Sequence, residues 1–179
     1  MTDREIIDKI RSPTGQSLGF NMLVRAYQER IYWHVRKMVV DHDDADDLVQ
    51  DIFVKIWRNI DKFREDSSLF TWIYRIATNE CLNFLKKKRS KFFLPINDIA
   101  EELIGCLEQA EHVSGDRIQM ALQRAILVLP DKQRLVFNMK YFDEMTFEQI
   151  SGITGTSIGA LKASYHLAVK KIEQNLNAD

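Results

Sequence analysis

The chain has 179 residues, 45% of them hydrophobic and 28% charged, which suits a folded protein and excludes a disordered or collagen-like one. Its 25 Lys+Arg and 26 Asp+Glu leave a net charge of -1, and no apolar run nears the ~20 residues of a membrane helix, so no membrane insertion is expected. The N-terminus lacks the layout of a secretion signal. Cys81 and Cys106 form neither a C-x-x-C pair nor a disulfide framework, so a cytoplasmic protein with reduced thiols is expected.

Seven Gly and three Pro offer few turns for strands, and long helical patterns fill the chain instead. An all-α architecture of two small helical domains follows. Residues 1–91 are mildly basic, residues 92–116 carry six acids and no Lys or Arg, and residues 117–179 are again mildly basic. Two basic blocks flanking an acidic segment suggest a nucleic-acid binder hidden by a neutral total. The acids Asp98, Glu101, Glu102, Glu108, Glu111 and Asp116, with Pro95 and Gly105, read as a solvated linker, although Phe92-Phe93-Leu94 suggests that part of it lies on a surface.

In the first block, Phe20, Leu23, Val24, Tyr27, Ile31, Val35 and Met38 recur at three- and four-residue steps, predicting an amphipathic helix over 18–40. The run Asp41-His42-Asp43-Asp44-Ala45-Asp46-Asp47 lacks the Gly and Glu of an EF-hand loop. His34, His112 and His166 show no metal-ligand spacing either. Asp43 or Asp44 as a helix cap is the better reading. The next helix buries a stripe of Leu48, Val49, Ile52, Phe53, Ile56 and Trp57, leaving Asp47, Gln50, Asp51, Lys55 and Arg58 on a polar face. After a loop, Ser67 or Ser68 can cap a helix reaching about Lys88, in which Trp72, Ile73, Ile76, Ala77 and Phe84 can pack. Arg75, Asn79, Asn83 and Lys86 share its polar side and lead into Lys86-Lys87-Lys88-Arg89-Ser90-Lys91. That pattern fits a charged helix terminus and a grip on single-stranded nucleic acid equally well.

In the second block, Thr146-Phe147-Glu148-Gln149 is a capping box that starts a short helix. Gly155-Thr156 makes a tight turn, and Ser157 caps a second helix reaching about Gln174. Ile150, Ile153, Leu161, Leu167 and Ala168 can meet inside, with small Ser151 letting the helices approach. This is the layout of a helix-turn-helix, whose second helix would read the DNA major groove, although a plain helical hairpin has the same outline. Lys162, Ser164, His166, Lys170 and Lys171 are that helix's polar side chains.

Together these segments resemble the extracytoplasmic-function group of bacterial RNA polymerase sigma factors. The resemblance rests on Asp44-Ala45-Asp46-Asp47-Leu48-Val49-Gln50-Asp51-Ile52-Phe53, Phe70-Thr71-Trp72-Ile73-Tyr74-Arg75-Ile76-Ala77-Thr78-Asn79 and Leu129-Pro130-Asp131-Lys132-Gln133-Arg134. Phe147-Glu148-Gln149-Ile150 through Gly159-Ala160-Leu161-Lys162 completes it. It implies domain two over 1–91, an acidic linker over 92–116 threaded toward the RNA exit channel, and domain four over 117–179. The implied partners are core RNA polymerase, promoter DNA and an anti-sigma factor. Asp47, Gln50 and Asp51 match polymerase-binding positions. Arg75, Asn79 and Asn83 match the helix facing the melted -10 element, with Lys86, Lys87, Lys88 and Arg89 as its basic extension, and the loop 61–69 matches one that holds a flipped-out base. Ser157, Lys162, Ser164, His166 and Lys170 lie on the helix matching the -35 reader.

The family often has Gly-Thr-Val-Lys-Ser-Arg where this chain has Gly159-Ala160-Leu161-Lys162-Ala163-Ser164, an Arg at the position of Leu167, and Asp at the position of Asn83. Two DNA contacts expected near the -35 element are therefore missing. No nucleophile with its base, phosphate-binding Gly loop or metal cluster stands out, so neither an enzyme nor a cofactor is expected. Two other classes compete: a free-standing helix-turn-helix repressor and a helical adaptor that binds only protein.

Overall fold

The computed structural model describes residues 2–92, 96–110 and 117–178, and all regular structure among them is helical. Expectations for Phe92-Phe93-Leu94, Pro95, Glu111, His112 and Asp116, and for the side chains of Lys91, Asp98 and Glu108, lie outside the described residues. Helix α1 spans Asp3–Arg11, α2 Gln16–Val39, α3 His42–Asn59 and α4 Leu69–Phe92. A 3-10 turn, Ile60–Lys62, follows α3. Helix α5 spans Ile96–Ala110, α6 Arg117–Leu127, α7 Asp131–Tyr141, α8 Phe147–Thr154 and α9 Ile158–Ala178.

The helix starts follow local chemistry. Thr2 opens α1 with a capping box, a feature the apolar periodicity gave no reason to expect. Asp41, not Asp43 or Asp44, caps α3: its carboxylate accepts from the Asp44 N–H at 2.9 Å, and Asp43 and Asp44 fall in the first turn. Ser68 caps α4 by accepting from the Thr71 N–H at 3.1 Å, and the helix continues beyond Lys88 to Phe92. Between α2 and α3 the chain turns at Val40, which adopts φ 65° with its side chain buried. A β-branched residue holds that conformation only where its surroundings force it. Here Val40 packs with Leu103 and Leu127.

Helices α1–α4 form one unit and α6–α9 another, but the two do not stand apart. Leu23, Ile31, Val35, Ile52, Ile56, Ile73 and Leu85 of the first share a continuous core with Leu135, Val136, Met139, Ile150, Ile153 and Leu161 of the second. A smaller cluster of Ala125, Ile126, Leu129, Phe137, Ala168 and Ile172 holds α6, α7 and α9 together. The segment read as a solvated linker contains α5, because Leu103, Ile104 and Leu107 repeat at helical steps and give the segment a face to bury. Two apolar side chains are more exposed than their stripes suggest. Leu167 is 48% exposed, one position off the buried row Leu161, Ala168 and Ile172. Trp57 is 38% exposed at the edge of its stripe, with its ring edge-on to Phe20.

Candidate nucleic-acid and polymerase interfaces

Three polar faces occupy different parts of this frame. Asp47, Gln50 and Asp51 are exposed on the outer side of α3, while Leu48 and Ile52 between them are buried. Burial of that stripe fixes the helix's rotation and leaves the carboxylates free to meet a partner.

The second face belongs to α4. Arg75, Asn79, Asn83 and Lys86 lie in a row of exposed side chains along it, with Lys87 exposed beside them. The row is interrupted at both ends. At its N-terminal end, α8 lies against α4: the Arg75 guanidinium donates to the Gly152 carbonyl at 2.7 Å, and a Cβ added at Gly152 would sit 3.4 Å from the Thr71 methyl. At the C-terminal end the basic run splits. Lys86 and Lys87 reach solvent, but Lys88 donates to Asp44 and lies 3.1 Å from both Asp44 and Glu102. Burial alone would lower the Lys88 ammonium pKa, yet its bonds to Asp44 and Glu102 outweigh this and raise it. Arg89 pairs with Asp131 at the start of α7. The acidic segment and the first turn of α7 thus neutralise half of the Lys86–Arg89 run.

The third face is the helix-turn-helix. Thr146 and Gln149 complete the capping box, with N···O distances of 2.8 and 3.1 Å. Gly155 closes α8 at φ 72°, a left-handed conformation natural to Gly and strained for other residues. Ser157 caps α9 by accepting from the Ala160 N–H at 3.3 Å. Ile150, Ile153, Leu161 and Ala168 are buried, while Ser157, Lys162, His166 and Lys170 are exposed and Ser164 is half-buried. Lys171 turns toward α7 and donates to Gln133 at 3.1 Å.

The residues that lock the two units together were not expected to do so: Arg134 stood only as part of a family-like segment, and nothing in the sequence singled out Asp143 or Lys37. Arg134 of α7 is 1% exposed, and its guanidinium donates to the Met38 carbonyl at the end of α2 at 3.0 Å, with Asp131 3.6 Å away. Burial lowers its pKa, while Asp131 opposes the shift. A guanidinium remains charged even so. Asp143, in the turn after α7, pairs with Lys37 of α2 and lies 3.6 Å from the buried His34 ring. Burial alone would raise the Asp143 carboxyl pKa, but His34 and Lys37 outweigh it and hold it below the ordinary carboxylate value.

Comparison with known proteins matches the chain in two segments. The model of Sigma-70 region 2 fits residues 23–91, and that of Sigma-70, region 4 fits residues 119–172, together well over half of the chain and in that order. The chain is similar to the ECF RNA polymerase sigma factor SigW of Bacillus subtilis, 28% identical over 170 residues, covering 90% of this chain and 91% of the relative. It is also similar to the ECF RNA polymerase sigma-E factor of Escherichia coli, 27% identical over 186 residues, covering 98% and 95%. The chain belongs to the extracytoplasmic-function group of sigma-70 RNA polymerase sigma factors. Its fold is also that of CnrH in complex with the cytosolic domain of CnrY, with a TM-score of 0.72 at 21% identity, covering 99% of this chain and 98% of that one. The same holds for the sigma factor RpoE in complex with the anti-sigma factor NepR from Bartonella quintana, with a TM-score of 0.66 at 21% identity over 89% and 98%.

As a sigma factor the protein recognises promoters for RNA polymerase. Among the described residues no helix is long and apolar enough to cross a membrane. The region 2 match takes in α3 and α4 up to residue 91, and the region 4 match takes in α8 and α9 up to residue 172, so the three polar faces fall within the matched segments.

Proposed function

We propose that the three faces divide promoter initiation among them and that the protein acts without catalysis, in the cytoplasm. Asp47, Gln50 and Asp51 dock on core RNA polymerase. Arg75, Asn79 and Asn83 receive the unpaired strand of the -10 element, with Lys86 and Lys87 on its phosphates, and Lys88 and Arg89 join them once released from their carboxylate partners. Ser157, Lys162, Ser164, His166 and Lys170 face the -35 duplex. The domains run over 1–91 and 117–179, with the acidic segment 92–116 between them. The observation that carries this reading is the helix-turn-helix. Its apolar residues are buried while the polar side chains of the N-terminal half of α9 stand uncovered, which suits entry into a major groove.

The contact between the two units adds a condition. With Arg75 bonded to Gly152 and α8 on α4, a single strand cannot lie along the whole α4 face. In this arrangement the factor is closed to the -10 element, and the units must part for melting. Docking on polymerase supplies the energy for that opening, and an anti-sigma factor would hold the closed form. Reconstituted transcription tests the reading. With core polymerase the protein directs initiation at a subset of promoters and protects -35 and -10 DNA from cleavage. Protection of a palindrome without polymerase would mark a free-standing repressor, and no protection in either case would mark an adaptor.

A further inference from the structure

The Sigma-70 region 2 match begins at residue 23, so α1 precedes it. The helix is nevertheless built firmly onto the domain. Ile6, Ile7 and Ile10 are buried, and the Tyr27 hydroxyl donates to Asp3 at 2.7 Å. Gly19 allows the contact: a Cβ there would lie 2.6 Å from the Ile10 backbone nitrogen, closer than atoms can approach.

From this seat α1 reaches the loop that follows the 3-10 turn. Glu65 sits in that loop at φ 63°, a conformation few non-glycine residues adopt without support. Arg4 and Arg11 both grasp its carboxylate, Arg4 at 3.0 Å. Arg11 also donates to the Phe63 carbonyl at 3.3 Å, and Gln16 at the start of α2 donates to Asp61 at 3.1 Å. Beneath these bonds lies a cleft of about 400 Å³ lined by Ile7, Ile10, Pro13, Ile60 and Phe63, among others. At the loop tip Arg64, Glu65 and Asp66 are exposed, so the tip is held by these tethers and not by burial.

We propose that Arg4 and Arg11 are positioning residues for the loop 63–68 and thereby sharpen which base of the -10 element the sigma factor accepts. The proposal rests on the reading of this loop as the holder of a flipped-out base. A base pocket discriminates only if its walls keep their place, and a strained, exposed loop keeps its place only while its tethers hold. The arginines do this from a distance, through Glu65, without touching the base.

The test uses the full-length protein with core polymerase and a promoter set in which each -10 base is varied in turn. Because exposed ion pairs are individually modest, R4A/R11A should flatten the -10 preference by about threefold. E65A should do the same, and the triple variant should add nothing further. Polymerase affinity and -35 preference should be unchanged, and R4K/R11K should retain most of the preference. Hydrogen exchange of amides 63–68 should quicken in R4A/R11A while α4 stays protected. A uniform loss at all promoters, with a shallower salt dependence, would make the arginines phosphate contacts and overturn the proposal. So would unchanged loop exchange, or a flattened preference in E65A but not in R4A/R11A. Asp66→Ala and Ser67→Ala separate the two levels. If they alter -10 preference while R4A/R11A does not, only the positioning proposal fails. If they leave it intact, the base-holding reading fails with it.

Discussion

The outer face of α3 and the polar face of α4 are both rows of hydrophilic side chains on amphipathic helices, yet the folded protein treats them oppositely. Asp47, Gln50 and Asp51 stand free. Arg75 is bonded to a carbonyl of α8, and Lys88 and Arg89 are paired with carboxylates from α3, α5 and α7. A polar row thus has no fixed meaning on its own. The folded protein leaves the face proposed for polymerase free and engages both ends of the face proposed for the melted strand, while Asn79, Asn83, Lys86 and Lys87 between them stay exposed.

The strongest way to break this asymmetry is at Arg134. Arg134→Ala removes a buried cation bridging α7 to the end of α2 and leaves Asp131 with one fewer partner. A loss of about 3 kcal/mol is expected, because a broken buried charge pair exposes the full desolvation cost of the group left behind. Urea titration measures it, and binding of a single-stranded -10 oligonucleotide without polymerase should rise in the fraction that remains folded.

Asp143→Asn attacks the same contact more gently. Losing the charge that faces Lys37 and His34 should cost about 1.5–2 kcal/mol, with the same gain in single-strand binding and no change at the α3 face. The low Asp143 pKa gives this pair a pH signature. A carboxyl depressed in the folded state contributes its stability above the ordinary carboxylate value, and that contribution fades as pH falls through the depressed one. The unfolding midpoint of the native protein should therefore drop in acid more steeply than that of Asp143→Asn. Equal slopes would assign the acid sensitivity to other groups.

Arg75→Ala sharpens the comparison because it acts on both states. It removes the hydrogen bond to Gly152, worth about 1 kcal/mol, and so should ease opening. It also removes a side chain proposed to meet the unpaired strand, so permanganate reactivity of the -10 region should fall even as the units part more readily. A variant that opened more easily and melted DNA normally would leave Arg75 as a latch alone. The smallest effect on folding is expected at the free face. Asp47→Ala with Gln50→Ala should change stability by no more than ~0.5 kcal/mol while weakening the titrated affinity for core polymerase. Unchanged affinity would remove these residues from the docking surface.

The sequence by itself determined most of what near neighbours govern, although it put the α3 cap at Asp43 or Asp44 instead of Asp41 and left the Thr2 box unread. The all-α class, the stripes of α2 and α3, a serine cap at residue 67 or 68, the Thr146–Gln149 box and the Gly155 turn each depend on residues within about one helical turn, where spacing dictates geometry. The four family-like segments were legible for the same reason, and the region 2 and region 4 matches agree with them. Tertiary structure alone decided which faces are covered. Nothing local distinguishes Arg75, held by a carbonyl 77 residues away, from Asn79 one turn on, which stays exposed. Arg134 belonged to a family-like segment, but its burial was not legible, since a guanidinium is buried only where a carbonyl and a carboxylate from the fold meet it. Helix α1 went unrecognised because its few apolar residues gain meaning only against α2, where Gly19 makes room for Ile10. Helix α5 was mistaken for solvated chain because its acids outweighed Leu103, whose partners Val40, in the turn between α2 and α3, and Leu127, at the end of α6, lie elsewhere in the sequence. Long-range burial depends on which surfaces meet, and no short-range pattern records that.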